Sequence, residues 1–305
     1  MSFTDWAGTS DALLVVAIVG YIAAMALHAA ELVAPARVHV TAGAGVTASA
    51  PVTDGHRARL LGRAALAVTA AAVLTHLGCA VTRALAAGRV PWGNMYEFIV
   101  ASCLIAMLTW LAIALTRPVR AVGLFVTLTA ALLLGGAGRA HVQAEALMPA
   151  LQSPWLRVHV AAAALATGLF LIGFVVTALY LLRTRHDADP ARHAGTIGAQ
   201  LPAAVGLDRI ALRMHVIAFP IWTFAIATGA IWAEAAWGRY WGWDPKETWA
   251  FVSWALYACY LHARTTTGWR GKRAAALACA AWASMLINVF AVNILVKGLH
   301  SYAGW

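Results

Sequence analysis

Along most of this chain the apolar residues run without interruption, where a soluble helix would break them into a 3.6-residue beat and a half-buried strand into a 2-residue one. Seven stretches lack Lys, Arg, Asp and Glu altogether: 12–30, 64–82, 98–116, 121–138, 158–182, 214–233 and 274–296. A helix needs roughly 20 apolar residues to cross a hydrocarbon core of about 30 Å. A helix that is apolar on every side is one that lipid or protein surrounds. An eighth stretch, 248–263, is shorter, and Trp249 and Trp254 can seat its end at a membrane interface. The pattern predicts an all-α, polytopic integral membrane protein with about eight spans. An even number of spans returns both termini to one side.

Composition agrees. The 305 residues are 62% hydrophobic and 11% charged, with a mean hydropathy of +0.74. Soluble domains carry about 25% charged residues. The net charge of +10 is unevenly placed. Fifteen Lys and Arg flank the loops that follow odd-numbered spans, against seven on the other flanks. By the positive-inside rule, both termini then lie outside, on the periplasmic or extracytoplasmic side. The basic residues sit at helix ends and not on one face, so they mark topology and exclude nucleic acid as the expected partner. Membrane lipids are the expected surroundings.

The whole chain, 1–305, reads as a single membrane domain, with no internal repeat. An N-terminal two-helix part covers 11–90, with a cytoplasmic linker at 35–60 whose middle, TAGAGVTASAPVTDG, is Ala-, Gly- and Thr-rich. The first span has no basic leader and no small-residue cleavage site after it, so it reads as retained. A second polar cytoplasmic connection, 186–206, has room for a short interfacial helix. Cys79, Cys103, Cys259 and Cys279 lie in apolar helices with no C-x-x-C pair, which argues against thiol–disulfide chemistry in this chain. The remaining region, 91–305, carries its polar and aromatic residues on outer loops, where function concentrates.

Seven of fourteen tryptophans fall between Trp222 and Trp254. An interfacial belt explains one or two per helix end. It explains Trp237, Trp241, Trp243 and Trp249 less readily, since they crowd a segment punctuated by Gly238 and Gly242. Glycines let a backbone turn sharply, and indoles supply flat apolar area with one donor each. Belt and ligand wall both remain open on chemistry alone. The stretch WGRYWGWDPKETW, Trp237 to Trp249 within an outer loop at 232–249, resembles the tryptophan-rich "WWD" signature of haem-handling proteins in cytochrome c biogenesis. Pro91, Asn94, Tyr96 and Glu97 resemble the P-x-x-N-x-Y-E element of the CcsA/ResC family. LQSPWLRVHV from Leu151, Leu207-Asp208-Arg209, Tyr260-Leu-His262-Ala-Arg264 and Gly298-Leu-His300-Ser-Tyr302 resemble that family's other segments. A WWD motif alone is shared with the CcmC and CcmF proteins; the NMYE loop and the GLHSY end favour CcsA/ResC.

The resemblance implies haem b as substrate or ligand, and haem iron can take one imidazole on each face. His159, about one turn into the fifth span, and His300, after the last, lie on the same outer side as the WWD loop, and form the expected external axial pair. Taken singly, His159 could be a helix-end histidine bonded to a carbonyl, and His300 a solvated one. Trp237, Trp241, Trp243 and Trp249 would cover the ring. Arg239 and Lys246 are the candidates for meeting its propionates, with Arg157 as a helper. Asp244-Pro245 reads as a cap that starts the next helix, with Glu247 in its first turn. The family is understood to carry a second, intramembrane pair. His262 matches its motif, and depth in the membrane selects His28 as partner, with His76 in reserve. His39, His56, His186 and His193 read as solvated, and His215 as structural.

The resemblance further implies the haem-handling subunit of a cytochrome c synthetase complex in the bacterial cytoplasmic membrane. Its active face is extracytoplasmic. It would deliver haem from the inner pair to the outer site and present it for thioether attachment to the C-x-x-C-H of apocytochrome c. This is holocytochrome c synthase (haem lyase) activity, held as part of a complex, with no catalytic residue expected beyond the haem ligands. A CcsB/ResB-type membrane partner and a thioredoxin-like reductant are implied. Two other classes stay open: a haem transporter without lyase activity, and an electron-transfer subunit with b-type haems.

Overall fold

The structure, a computed structural model, describes residues 3–34, 54–144, 151–266, 268–296 and 298–300. His39, the middle of the expected linker, Lys297, Tyr302 and the rest of the C-terminal segment lie outside the described residues. Every regular element among the described residues is helical. Helices α1 (Phe3–Val33) and α2 (Asp54–Ala87) are followed by α3 (Met95–Thr116) and α4 (Gly123–Ala137). Then come α5 (Pro154–Ala188), the single turn α6 (Ile197–Gln200), α7 (Ala204–Trp237) and α8 (Pro245–Thr265). Last, α9 (Gly271–Leu286) passes through a π-helical turn (Ile287–Ala291) into α10 (Val292–Leu295).

Seven helical segments, beginning at Asp5, Gly55, Met95, Arg120, Pro154, Ala204 and Gly271, are long and apolar enough to cross a membrane. They cover the seven charge-free stretches and overrun most of them. α8 is less apolar, yet it must run the length of the bundle. Leu299 and His300, beyond the end of α10, bond to Asp244 at the start of α8. So α9–α10 runs toward the end where α8 begins, and α8 runs the other way. Its 21 residues span about 31 Å at 1.5 Å per residue.

α5 sits at the centre. It packs along α7 over most of its length and also against α3 and α9. The N-terminal helices form a flank in which α1 packs on α2 and α4. Small residues set the closest approaches. A Cβ on Gly20 would lie 2.8 Å from that of Ala72, and one on Gly168 would lie 2.7 Å from the Ser102 carbonyl. Without a hydrophobic force between helices in lipid, such close backbone approach is what holds them together. Trp110, Tyr21, Tyr96, Tyr257, Phe170 and Met107 fill the interior.

One end of the bundle gathers the start of α1, the end of α2, the starts of α3, α5 and α8, and the ends of α4, α7 and α10. Ser10 bonds the Cys79 carbonyl there, and His141, after α4, bonds Asp11 at 3.1 Å. Arg83 reaches both Glu97 and the Val142 carbonyl. Both described ends of the chain are at this end, together with the cleft described next.

Candidate functional site

The Trp-rich loop is built by ordinary helix-end chemistry. α7 stops at Gly238, whose φ of +71° gives the left-handed C-cap that glycine adopts without cost. α8 starts with Asp244 as N-cap, Pro245 after it and Glu247 closing a reciprocal capping box. Glu247 Oε2 also accepts from Gly242 N–H at 2.8 Å and Asp244 N–H at 3.1 Å, folding the loop back onto the helix start. Trp243 lies between them with φ +56°, in the left-handed region that bulky side chains avoid.

Asp244 then does more than cap. Its Oδ2 accepts from Leu299 N–H at 2.7 Å, and its Oδ1 from His300 Nδ1 at 3.0 Å. Gly298 permits this approach, since a Cβ there would meet Oδ2 at 2.6 Å. Burial opposes the charged form of this carboxyl. The hydrogen bonds from His300 and Leu299 outweigh it and hold the pKa down at about 2.

His159 is positioned by a different partner with the same logic. Its Nδ1 donates to the Ala225 carbonyl on α7 at 2.7 Å. The ring nests against Gly229, where a Cβ would come within 2.6 Å of Nδ1. Trp232, 2% exposed, touches both imidazoles. It stacks on His159 with centroids 6.5 Å apart and meets His300 edge-on at 6.0 Å. Trp237 meets His300 at 5.0 Å and Trp232 at 4.8 Å. An Nδ1 committed to a carbonyl or carboxylate fixes the tautomer, orients the ring and makes Nε2 the metal donor.

These groups wall a cleft that is open on one side. Like ordinary small-molecule pockets, it is lined mainly by apolar and aromatic side chains with a few polar groups. Trp92, Trp222, Trp232, Trp237, Trp241 and Tyr240 supply its aromatic surface. The indole N–H groups of Trp92 and Trp222 and the amide oxygen of Asn288 are buried in its walls without a hydrogen-bond partner. Lys246 is its cation, with Nζ donating to Asn293 Oδ1 at 2.7 Å and lying 3.5 Å from Met95 Sδ. The arrangement can hold a large, flat, mainly apolar ligand that carries a metal and an acidic edge.

Of the residues expected from sequence, the structure brings His159, His300, Trp237, Trp241 and Lys246 to the cleft. Trp243 and Trp249 are not in its lining. Trp243 is 65% exposed and packs on Trp241 and Phe251 outside it. Arg239 folds over Gly242 and is exposed, as is Arg157. His28 and His262 are not brought together. His28 is 1% exposed, wedged against Gly123 with its Nδ1 3.8 Å from Glu31. His262 is exposed in the last turn of α8, its Nδ1 3.3 Å from the Thr266 hydroxyl. α1 packs on α2 and α4, whereas α8 packs on α9 and α7. His76 bonds the Tyr21 hydroxyl at 3.1 Å, and His215 is buried among Phe170, Tyr257 and Tyr260. Trp92, Trp222, Trp232, Tyr240 and Asn288 were not singled out by sequence. The signal for α7 was present: 222, 226, 229, 230, 233 and 237 recur at helical spacing and form one face on the cleft.

A helical bundle with a tryptophan-walled cleft and two anchored histidines at one end defines a polytopic membrane protein whose site is assembled at one membrane face. Residues 92–300 match the cytochrome C assembly protein family, and this chain belongs to that family, on its CcsA branch. The "Cytochrome c biogenesis protein CcsA" of Gloeobacter violaceus is 30% identical, over 82% of this chain and 88% of its own length. The protein of the same name from Synechococcus sp. (strain JA-3-3Ab) is 34% identical, over 81% and 87%. Among solved structures, "Cytochrome c Heme Lyase CcmF" shares the fold with a TM-score of 0.62 at 18% identity. That match covers 98% of this chain and 48% of the other, so this chain spans about half of it.

Proposed function

We propose that this chain is the haem-handling subunit of a cytochrome c synthetase. Haem is its substrate, held in the cleft at the extracytoplasmic face and presented there for thioether attachment to apocytochrome c. The observation that carries the reading is the pair of anchored imidazoles. His159 and His300 each have Nδ1 committed, one to the Ala225 carbonyl and one to Asp244, at the wall of the same aromatic cleft. Two imidazoles so oriented suit the two axial positions of a planar macrocycle's iron. Indoles suit its faces, and Lys246 suits a propionate. The open mouth leaves a route for a C-x-x-C-H segment. The CcsA names of the relatives support a place in cytochrome c biogenesis, and the lyase name of the structural neighbour is in keeping with attachment chemistry. A CcsB/ResB-type partner and a thiol reductant belong to the same reading.

The test is the absorption spectrum of the detergent-purified protein made with its membrane partner, oxidised and reduced. Wild type should show a low-spin, bis-histidine haem, weakened in His159→Ala/His300→Ala. Wild-type protein that never co-purifies with haem sinks the proposal. A double variant with the wild-type spectrum moves the ligands elsewhere.

A further inference from the structure

The last span does not reach the cleft as a plain α-helix. Between α9 and α10 the Val292 N–H donates to the Ile287 carbonyl, five residues back where an α-helix uses four. Such a π turn carries one extra residue, and in a membrane helix it persists where a cavity or protein surrounds it. Its effect here follows from the helix period. Five residues of α-helix turn through about 500°, so Asn288 and Asn293 would point about 140° apart. With one residue absorbed by the π turn they stand as i and i+4, stacked on one face. That face meets the start of α8, where Asn293 bonds Lys246.

The two amides have different duties. Asn293 is fully committed: its Nδ2 donates to the Val289 carbonyl at 2.6 Å, and its Oδ1 accepts from Lys246 Nζ at 2.7 Å. It thereby holds the ammonium at the cleft wall. Asn288 also lines the cleft, is 5% exposed, and has no hydrogen-bond partner for its amide among the described residues. Its Oδ1 is sealed in the wall; its Nδ2 is not, and has two protons to donate. Lys246 has three donors, of which Asn293 takes one and Met95 Sδ, a weak acceptor, lies 3.5 Å away. The neighbouring carboxylates do not compete for these donors. Glu247 takes the Gly242 and Asp244 N–H groups, and Asp244 takes Leu299 and His300. An amide left bare in an apolar wall is costly, unless a partner arrives with the ligand. We propose that Asn288 and Lys246 form a carboxylate subsite for the acidic edge of the ligand. Lys246 supplies the charge and Asn288 a neutral N–H donor, and the π turn is what brings Asn288 to that side. Charge-assisted hydrogen bonds of this kind are the strong ones. The proposal rests on the haem reading above and names Asn288 as the residue that tells a macrocycle with free propionates from one whose acids are masked.

The experiment uses the full chain with its partner, stripped of haem in detergent. It is titrated with haemin and, separately, with haemin dimethyl ester, whose two acids are capped. Wild type should bind haemin at least about tenfold more tightly than the ester. Asn288→Leu, close in shape but without the donor, should weaken haemin about tenfold. It should leave the affinity for the ester and the low-spin, bis-histidine spectrum as in wild type. Wild type that binds both ligands equally overturns the subsite. So does an Asn288→Leu variant whose preference for haemin is unchanged, whether both ligands bind as before or both weaken by the same factor, since the amide then only shapes the wall. If Asn288→Leu does not fold, Asn288→Ala is held to the same outcomes. Wild type that takes up neither ligand overturns the haem reading itself, and is told apart from failure of the subsite, which leaves haemin bound.

Discussion

The carboxylate of Asp244 accepts from the backbone N–H of Lys246, from Leu299 N–H and from the His300 ring, so one side chain starts α8, tethers the chain end and aims an imidazole. Asn is as good an N-cap as Asp. Asp244→Asn therefore keeps the helix start but has only one oxygen for the tether and the ring, and it carries no charge. The expected outcome is a folded protein whose bound haem titrates at a higher potential, because the carboxylate no longer strengthens His300 as a ligand. An unchanged midpoint potential would separate Asp244 from the iron site. Asp244→Ala loses the cap as well, about 1 kcal/mol more. The pH dependence follows from the depressed pKa. A carboxyl held at about 2, against 3.8 for a free one, contributes its tether fully above about pH 4 and loses it as the pH falls through about 2. The expected signature is a thermal unfolding midpoint that falls as the pH drops from 4 toward 2, and falls less in Asp244→Asn.

At the scale of the element, the central pair of α5 and α7 is organised by reciprocal glycine and histidine. His159 on α5 nests on Gly229 of α7, and His215 on α7 nests on Gly173 of α5. His28 on α1 has the same relation to Gly123 of α4. A ring needs a hole in the facing helix, and only glycine leaves one at close approach. The loop before α3 is held by charge instead. Glu97, 1% exposed, pairs with Arg83 Nε at 3.0 Å and Arg89 Nη1 at 2.7 Å, and accepts from Gly93 N–H at 2.7 Å. Breaking such a buried network by removing one partner costs roughly 3–5 kcal/mol. Glu97→Gln should lower the thermal unfolding midpoint in detergent and free the Trp92-Gly93-Asn94 wall of the cleft. A stability equal to wild type would show that the arginines find other partners. Much of this scale could be read in advance, and the rest could not for definite reasons. Spans are legible because lipid demands apolar residues on every side. Their ends are not: α2, α5 and α7 extend past their charge-free stretches because charges cost little beyond the hydrocarbon. His159, His300 and the loop's capping residues were legible from local sequence. The Asp244–His300 bond was not, since it joins positions 56 apart. Trp232 was hidden because a belt and a cleft wall look alike on a helix end, and Trp222 because an indole in mid-span reads as core packing. Depth chose His28 for His262, but depth fixes height in the bundle and not which helices are neighbours.

At the scale of the whole molecule, the decisive asymmetry is between the two ends of the bundle. The cleft end holds the described ends of the chain, the Trp-rich loop, the Glu97 network and Lys246. The opposite end holds α6 and most of the arginines, among them Arg264, bonded to Asp208 at 2.9 Å, and Arg183, bonded to Asp187 at 2.8 Å. Positive charge is retained on the cytoplasmic side during insertion, so the cleft end should face outward. Side-specific labelling decides it. In intact cells a membrane-impermeant maleimide should label Ala235→Cys, exposed in the last turn of α7 at the cleft end, and should reach Ala191→Cys, exposed between α5 and α6, only after permeabilisation. Cys259, the exposed native thiol, is first replaced by Ser. The opposite pattern would turn the cleft toward the cytoplasm and undo the extracytoplasmic site, because an apocytochrome threaded outward would never meet it. The expected pattern puts the cleft mouth in the compartment where thioethers to a translocated C-x-x-C-H must form.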